Sequence, residues 1–314
     1  MAMQPFAFVF PGQGAQSVGM LDAWGDHPAV RDVLAEASQA LGEDVGQLIR
    51  EGPKEKLELT TNTQPVMLTA AIACHRAWLA EGGAEPAALA GHSLGEYSAL
   101  VAAGALTLAD ALPLVRLRAQ AMQDAVPVGT GAMAAILGLE AVAVVEGCAR
   151  AAVESGGVVS AANFNDPKQT VISGAKAAVD KACEILKGMG AKRALPLAVS
   201  APFHCSLMRP AAEALKERLA SVPVASPRIP VVNNVDVVVA TDPSAIRDAL
   251  YRQAFGPVRW VEVVQALRGR GLSHVIECGP GKVLAGMVKR IDAELVAASV
   301  FDPASLRDAQ ALLA

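Results

Sequence analysis

The sequence predicts an α/β chain in which a small ferredoxin-like unit, residues 129–199, interrupts a larger α/β domain formed by residues 1–128 and 200–314. Short apolar runs that end in glycine turns alternate with helical stretches in both outer segments. The middle changes rhythm to the order β-α-β-β-α-β. Aromatic residues make up only 4% of the chain against 53% hydrophobic, a composition suited to helices packed on a sheet rather than to an aromatic-rich sandwich.

Phe6 to Phe10 reads as a short buried strand ending in the turn Pro11-Gly12-Gln13-Gly14. Helical stretches follow to about residue 82, where Gly82-Gly83 and Pro86 break them. A second apolar segment, Ala87 to Ala90, leads into Gly91-His92-Ser93-Leu94-Gly95 and a helical run from Glu96 to Ala103. In the middle, Gly131–Leu139 is read as a strand and Ala141–Ser155 as a helix. Val158–Ala162 and Gln169–Ser173 pair around Asn163-Phe164-Asn165-Asp166-Pro167, and then come a helix over Ala175–Met189 and a strand over Arg193–Val199. The α/β pattern resumes with strands at Ile229–Asn233 and His274–Cys278, and with helices near Ser244–Gln253 and Val258–Arg268. The turn Gly279-Pro280-Gly281 opens another helix.

Composition excludes several classes. A net charge of -4 lacks the electrostatic footprint of a nucleic-acid binder. With 18% charged residues and an apolar majority, the chain is not disordered. Its most apolar helix candidate, Pro65–Ala80, is broken by His75 and Arg76, so no membrane span is expected. The five cysteines form no CxxC pair, so neither a disulfide framework nor a zinc site is expected, and reduced thiols in the cytoplasm fit best. The N-terminal residues show no signal-peptide pattern.

The strongest chemical signal is Gly91-His92-Ser93-Leu94-Gly95 between an apolar segment and a helix. A G-x-S-x-G turn needs glycine on both sides because the serine sits on a tight strand-to-helix turn with backbone in close approach. The hydroxyl then stands at a helix N-terminus, where a developing oxyanion is favoured. Serine needs a base. Of five histidines, His27, His75 and His274 read as surface or packing residues, and His92 as support for the turn. His204 follows a strand in Ser200-Ala201-Pro202-Phe203-His204, and spacing modestly favours it. Asp110, Asp124, Asp166 and Asp180 are all available to orient the imidazole, with nothing to single one out. Taken alone, Arg118 reads as a helix-surface ion-pair residue. Gly12-Gln13-Gly14 lacks the third glycine of a dinucleotide loop, and Gly279-Pro280-Gly281-Lys282 lacks the spacing of a P-loop. Cys205 has no elbow of its own.

Many ordered motifs together are more specific. They comprise Phe10-Pro11-Gly12-Gln13-Gly14, Gly91 through Leu100, Arg116-Leu117-Arg118 to Met122, and Gly129-Thr130-Gly131-Ala132-Met133. Asn163-Phe164-Asn165, Pro202-Phe203-His204, Gln253 with Pro257-Val258-Arg259-Trp260, and Gly279-Pro280-Gly281-Lys282 follow. Over essentially its whole length the sequence resembles the bacterial malonyl-CoA:acyl carrier protein transacylases, acyltransferases of fatty acid and polyketide synthesis. The resemblance implies an α/β-hydrolase-like large domain with a parallel sheet beside the ferredoxin-like insert. It implies Ser93 as nucleophile, His204 as base, and the Gln253 backbone carbonyl in place of an orienting aspartate. The main-chain N–H groups of Gln13 and Leu94 would form the oxyanion hole, Arg118 would bind the malonyl carboxylate, and His92, Phe203 and Asn163 would line the pocket.

The activity implied is S-malonyl transfer from malonyl-CoA to acyl carrier protein through a malonyl-serine, in ping-pong order. No bound cofactor or metal is implied: the coenzyme A thioester is substrate, and the partner carries the phosphopantetheine. Candidate contacts for an acidic carrier are Lys187, Lys192, Arg193, Lys282, Lys289 and Arg290. A cytoplasmic monomer is expected. Three alternatives stand beside this one: a serine esterase or thioesterase, a non-catalytic scaffold with a vestigial pocket, and the same chemistry serving polyketide assembly.

Overall fold

The computed structural model describes residues 4–314, so the first three residues of the outer domain lie outside it. The chain opens with β1 (Phe6–Phe10) and four helices, α1 (Pro28–Leu41), α2 (Val45–Glu51), α3 (Lys54–Glu58) and α4 (Thr60–Ala80). Then come β2 (Ala88–Gly91), α5 (Gly95–Ala102) and α6 (Leu108–Asp124). The middle segment runs β3 (Gly131–Leu137), α7 (Ala141–Ser155), β4 (Val159–Asp166), β5 (Gln169–Ala175), α8 (Lys176–Gly188) and β6 (Arg193–Pro196). The last third holds α9 (Arg209–Ser221), β7 (Val231–Val232), α10 (Pro243–Gln253) and α11 (Trp260–Gly269). It ends with β8 (His274–Cys278), α12 (Val283–Ile291), β9 (Val296–Val300) and α13 (Pro303–Leu313).

The strands form two sheets. Strands β7-β2-β1-β8-β9 make a wholly parallel sheet with β1 at its centre. A central parallel strand covered on both faces should be apolar throughout, and all five residues of β1, Phe-Ala-Phe-Val-Phe, are buried. Part of the scarce aromatic content is spent here: Trp78 on α4 meets Phe6 and Phe8 edge-on at 5.9 and 5.3 Å. On the same side of α4, His75 meets Phe8 and Phe10 edge-on, and the small Ala71 brings its carbonyl within 3.9 Å of Cys278 Sγ on β8. The second sheet, β4-β5-β3-β6, is antiparallel, and its chain order with α7 and α8 is β-α-β-β-α-β.

Several strand boundaries differ from the sequence expectation by a few residues, and two of the differences shape the cleft. Strand β4 continues past Ala162 to Asp166, leaving only Pro167-Lys168 as the turn. Register shifts between Ala161 and Asn163 and between Phe164 and Asp166 turn polar residues out of the small sheet's core. The strand is held on its other edge by Val258, whose N–H donates to the Ala162 carbonyl at 2.8 Å and whose carbonyl accepts from Phe164 N–H at 2.9 Å. At the far end, β6 stops at Pro196 rather than Val199. Leu197 N–H still reaches the Met133 carbonyl, and the chain then peels away as Ala198–Ser200 to form one wall of the cleft. Strand β9 and helices α9 and α13 are additional elements that the sequence reading leaves unassigned. Among the described residues no helix is long and apolar enough to cross a membrane.

Candidate active site

Ser93 sits between the last residue of β2 and the first of α5, with φ +54. That left-handed conformation costs a non-glycine residue of order 1 kcal/mol and persists only where the surroundings enforce it. Both flanking glycines are sterically required. A Cβ on Gly91 would lie 1.9 Å from the Gly95 carbonyl group, and one on Gly95 would lie 2.0 Å from the Phe10 carbonyl oxygen. Asn234 pins the turn from a distant segment. Its Oδ1 accepts from Ser93 N–H at 2.7 Å, and its Nδ2 donates to the Gly91 carbonyl at 2.6 Å.

His204, 4% exposed, also has a positive φ, +60. Its Nε2 lies 2.7 Å from Ser93 Oγ. Its Nδ1 faces two main-chain carbonyls, Gln253 at 3.0 Å and Gly256 at 3.2 Å. Carbonyls only accept, so the proton belongs on Nδ1 and the lone pair of Nε2 faces the serine hydroxyl. Burial, joined by the nearby Arg118 charge, pushes the imidazole down to about 3, so it is neutral and able to take a proton at neutral pH. Asp110, Asp124 and Asp180 make contacts elsewhere, and Asp166 pairs with Arg290.

Arg118, from α6, is 2% exposed, where the sequence by itself suggests a surface ion pair. The reason lies in tertiary contacts. Its Nη1 donates to Gln64 Oε1 on α4 at 2.6 Å, and its Nη2 to Gln253 Oε1 at 3.1 Å and Ser93 Oγ at 3.2 Å. The guanidinium lies 5.5 Å from the Tyr97 ring centroid, and its buried Nε has no acceptor. Glu96, 2% exposed, supplies nearby negative charge, although burial pushes its carboxyl up to about 7.

These groups open into one cleft of about 770 Å³ lined by Gln13, His92, Ser93, Arg118, Phe203 and His204, among others. Asn163 also faces this cleft. His92 is half-buried, with Nε2 2.8 Å from Asn165 Oδ1 and its ring edge-on to Trp260. Leu94 is buried where α5 begins. Among the described residues, neither the Gln13 nor the Leu94 amide donates within the chain. Gln64, Glu96 and Asn234 carry no individual role in the sequence reading. Their one signal there is a polar side chain bordering an apolar stretch, as at Gln64 before Pro65-Val66-Met67-Leu68. A shallower groove of about 750 Å³ over Pro113, Leu117 and Ala121 is separate and holds neither Ser93 nor His204.

The basic candidates fall in two groups: Lys187, Lys192 and Arg193 at α8 and β6, and Lys282, Lys289 and Arg290 around α12. Arg290 is tied to the buried Asp166 at 2.7 Å, and Lys282 lies over the Phe301 ring. Among the described residues, no three or more His, Cys, Asp or Glu side chains converge as a metal site would require.

A serine on a strand-to-helix elbow, paired with a neutral imidazole and overlooked by a buried guanidinium, defines an acyl-transfer enzyme of the serine–histidine type. The chain belongs to the acyl transferase domain family, which matches residues 7–300. It is 52% identical to the malonyl CoA-acyl carrier protein transacylase of Salmonella typhimurium, over 97% of this chain and 98% of that protein. The acyl-carrier-protein S-malonyltransferase of Burkholderia pseudomallei 1710b superposes with a TM-score of 0.96 at 66% identity, covering 98% of this chain and 100% of that one. A malonyl-transacylase solved in complex with a type II polyketide synthase acyl-carrier protein has a TM-score of 0.96 at 49% identity, with coverage of 98% and 100%.

Proposed function

We propose that this acyltransferase carries a malonyl group from malonyl-CoA to the phosphopantetheine thiol of an acyl carrier protein, supplying extender units for fatty acid synthesis. The observation that carries the reading is the Arg118 guanidinium 3.2 Å from Ser93 Oγ, inside the same cleft. An acyl group on Ser93 whose far end is a carboxylate, one methylene from the ester carbon, would meet that guanidinium. A planar fork of N–H donors fits such a carboxylate bidentately.

The chemistry follows from the proton positions. Ser93 Oγ attacks the thioester carbonyl as its proton passes to His204 Nε2, and the imidazolium is stabilised by the carbonyls of Gln253 and Gly256. The Gln13 and Leu94 amides are free to receive the oxyanion. The C–S bond breaks, coenzyme A leaves as its sulfur takes the proton, and Ser93 carries a malonyl ester. The carrier thiol then gives its proton to His204 and attacks the ester, the Oγ–C bond breaks, and His204 Nε2 returns the proton to Ser93 Oγ. Coenzyme A and the carrier occupy the cleft in turn, so the exchange is ping-pong. Lys282 and Lys289 are proposed contacts for the acidic carrier. Every group in the site comes from one chain, so a monomer suffices, and five free cysteines suit a reducing cytoplasm.

Intact-protein mass spectrometry after mixing with malonyl-CoA tests this. One malonyl group should add to the wild-type chain and none to Ser93→Ala, and adding holo carrier protein should discharge it. An adduct that water removes as fast as it forms, with no acceptor present, would make the protein a hydrolase instead.

A further inference from the structure

Gln253 bonds to Ser93, His204, Arg118 and Glu96. Its main-chain carbonyl accepts from His204 Nδ1, while its side-chain amide, fully buried, makes three further bonds. Its Nε2 donates to the Ser93 carbonyl at 2.9 Å and to Glu96 Oε2 at 3.0 Å, and its Oε1 accepts from Arg118 Nη2 at 3.1 Å. We propose that Glu96 is a positioning residue that fixes the direction of the Gln253 amide and thereby holds Arg118 at the nucleophile for the substrate carboxylate. The inference rests on the reading of Arg118 given above.

The logic is that of donors and acceptors in a dry interior. The Ser93 carbonyl and Glu96 Oε2 both accept, and together they engage both hydrogens of the amide nitrogen. The amide oxygen is then left for the guanidinium, which can only donate. A reversed amide would set N–H groups against the guanidinium and an oxygen against two oxygens, at a side chain buried from solvent. Glu96 lies three residues after Ser93 on α5, and its Oε2 is itself steadied by Asn234 N–H at 2.9 Å. The lock requires an acceptor at that oxygen rather than a negative charge. A proton on the other oxygen leaves it intact, and a glutamine at this position presents the same acceptor.

The test measures acyl-enzyme formation from malonyl-CoA and from acetyl-CoA as kcat/KM. Variants are Glu96→Ala, Glu96→Gln, Gln253→Met, Arg118→Ala and the Glu96→Ala/Arg118→Ala double. Gln253→Met keeps the carbonyl that serves His204 and deletes the amide. We expect Glu96→Ala and Gln253→Met to lower the malonyl-over-acetyl preference by about tenfold or more, and Glu96→Gln to stay within about threefold of wild type. In the Arg118→Ala background the Glu96 change should leave the preference unchanged, because the residue it positions is gone.

Equal losses for both substrates, or preference losses that multiply in the double variant, would overturn the proposal, since a residue that merely supports the fold acts that way. If Glu96→Ala does not fold, Glu96→Met, which keeps the volume and removes the acceptor, takes its place with the same expected loss of preference. Wild-type protein that takes no malonyl group would overturn the functional reading and this inference together. Wild-type protein that prefers malonyl, with variants that prefer it equally, would overturn the inference only.

Discussion

Arg118→Ala removes the positive charge beside Ser93, and its effect should be one of choice more than of speed. In the free enzyme Arg118 holds three hydrogen bonds, to Gln64, Gln253 and Ser93, and its Nε has no acceptor. A substrate carboxylate would complete the set, whereas an acetyl group leaves the charge desolvated and short of a partner. Leaving a buried charge unpaired costs about 2–5 kcal/mol. Since three bonds survive without substrate, the lower half of that range applies, about 2–3.5 kcal/mol, or roughly 30- to 300-fold in discrimination. The assay compares malonyl-CoA and acetyl-CoA for acyl-enzyme formation in wild type and Arg118→Ala. Malonyl loading should fall by roughly that factor, while acetyl loading changes by less than about tenfold. An Arg118→Ala enzyme that still preferred malonyl by the wild-type factor would refute the argument, because among the described residues no other guanidinium lines the cleft.

The pH profile of Ser93 acylation should show no acid limb at the ordinary histidine value. With the imidazole pushed down to about 3 by burial and by Arg118, it stays an unprotonated base as pH falls through about 6.5. Stability moves the other way: below about 6.5 the unfolded chain takes up a proton that folded His204 refuses, so stability declines with falling pH, and chemical denaturation against pH measures this. Gly95→Ala should cost at least about 3 kcal/mol or prevent folding, since the new Cβ would meet the Phe10 carbonyl oxygen at 2.0 Å; a thermal midpoint within about 2 °C of wild type would contradict this. Charge reversal at Lys282 and Lys289 should slow transfer to the carrier and flatten its salt dependence while leaving loading from malonyl-CoA intact, and stopped-flow transfer at two ionic strengths checks it.

What the sequence determined by itself is what local physics encodes. An all-apolar five-residue run closed by a Pro-Gly turn reads as a buried strand, and β1 is the centre of the parallel sheet. The alternation over residues 131–196 announces its β-α-β-β-α-β order, because periodicity and glycine breaks are properties of neighbouring residues. The elbow at Ser93 was equally legible, since both its glycines answer a backbone contact forced by the tight turn itself or by the adjacent β1. The full reach of β4 was not, because the polar run from Asn163 to Asp166 extends as a strand only where Val258 binds its other edge.

The catalytic pairing and its charge were decided by tertiary structure. Ser93 and His204 are separated by 111 positions, and Arg118 and Gln253 by 135, distances at which no spacing rule operates. Spacing alone left His204 barely ahead of its rivals and made Arg118 a surface residue. Only the packing of α4, α5, α6 and α10 around one cleft buries that guanidinium, keeps the imidazole neutral and turns Gln253 toward both, its side-chain oxygen to the guanidinium and its main-chain carbonyl to the imidazole. Hydrogen-bond partners and desolvation belong to the folded interior, and a linear chain in water has neither.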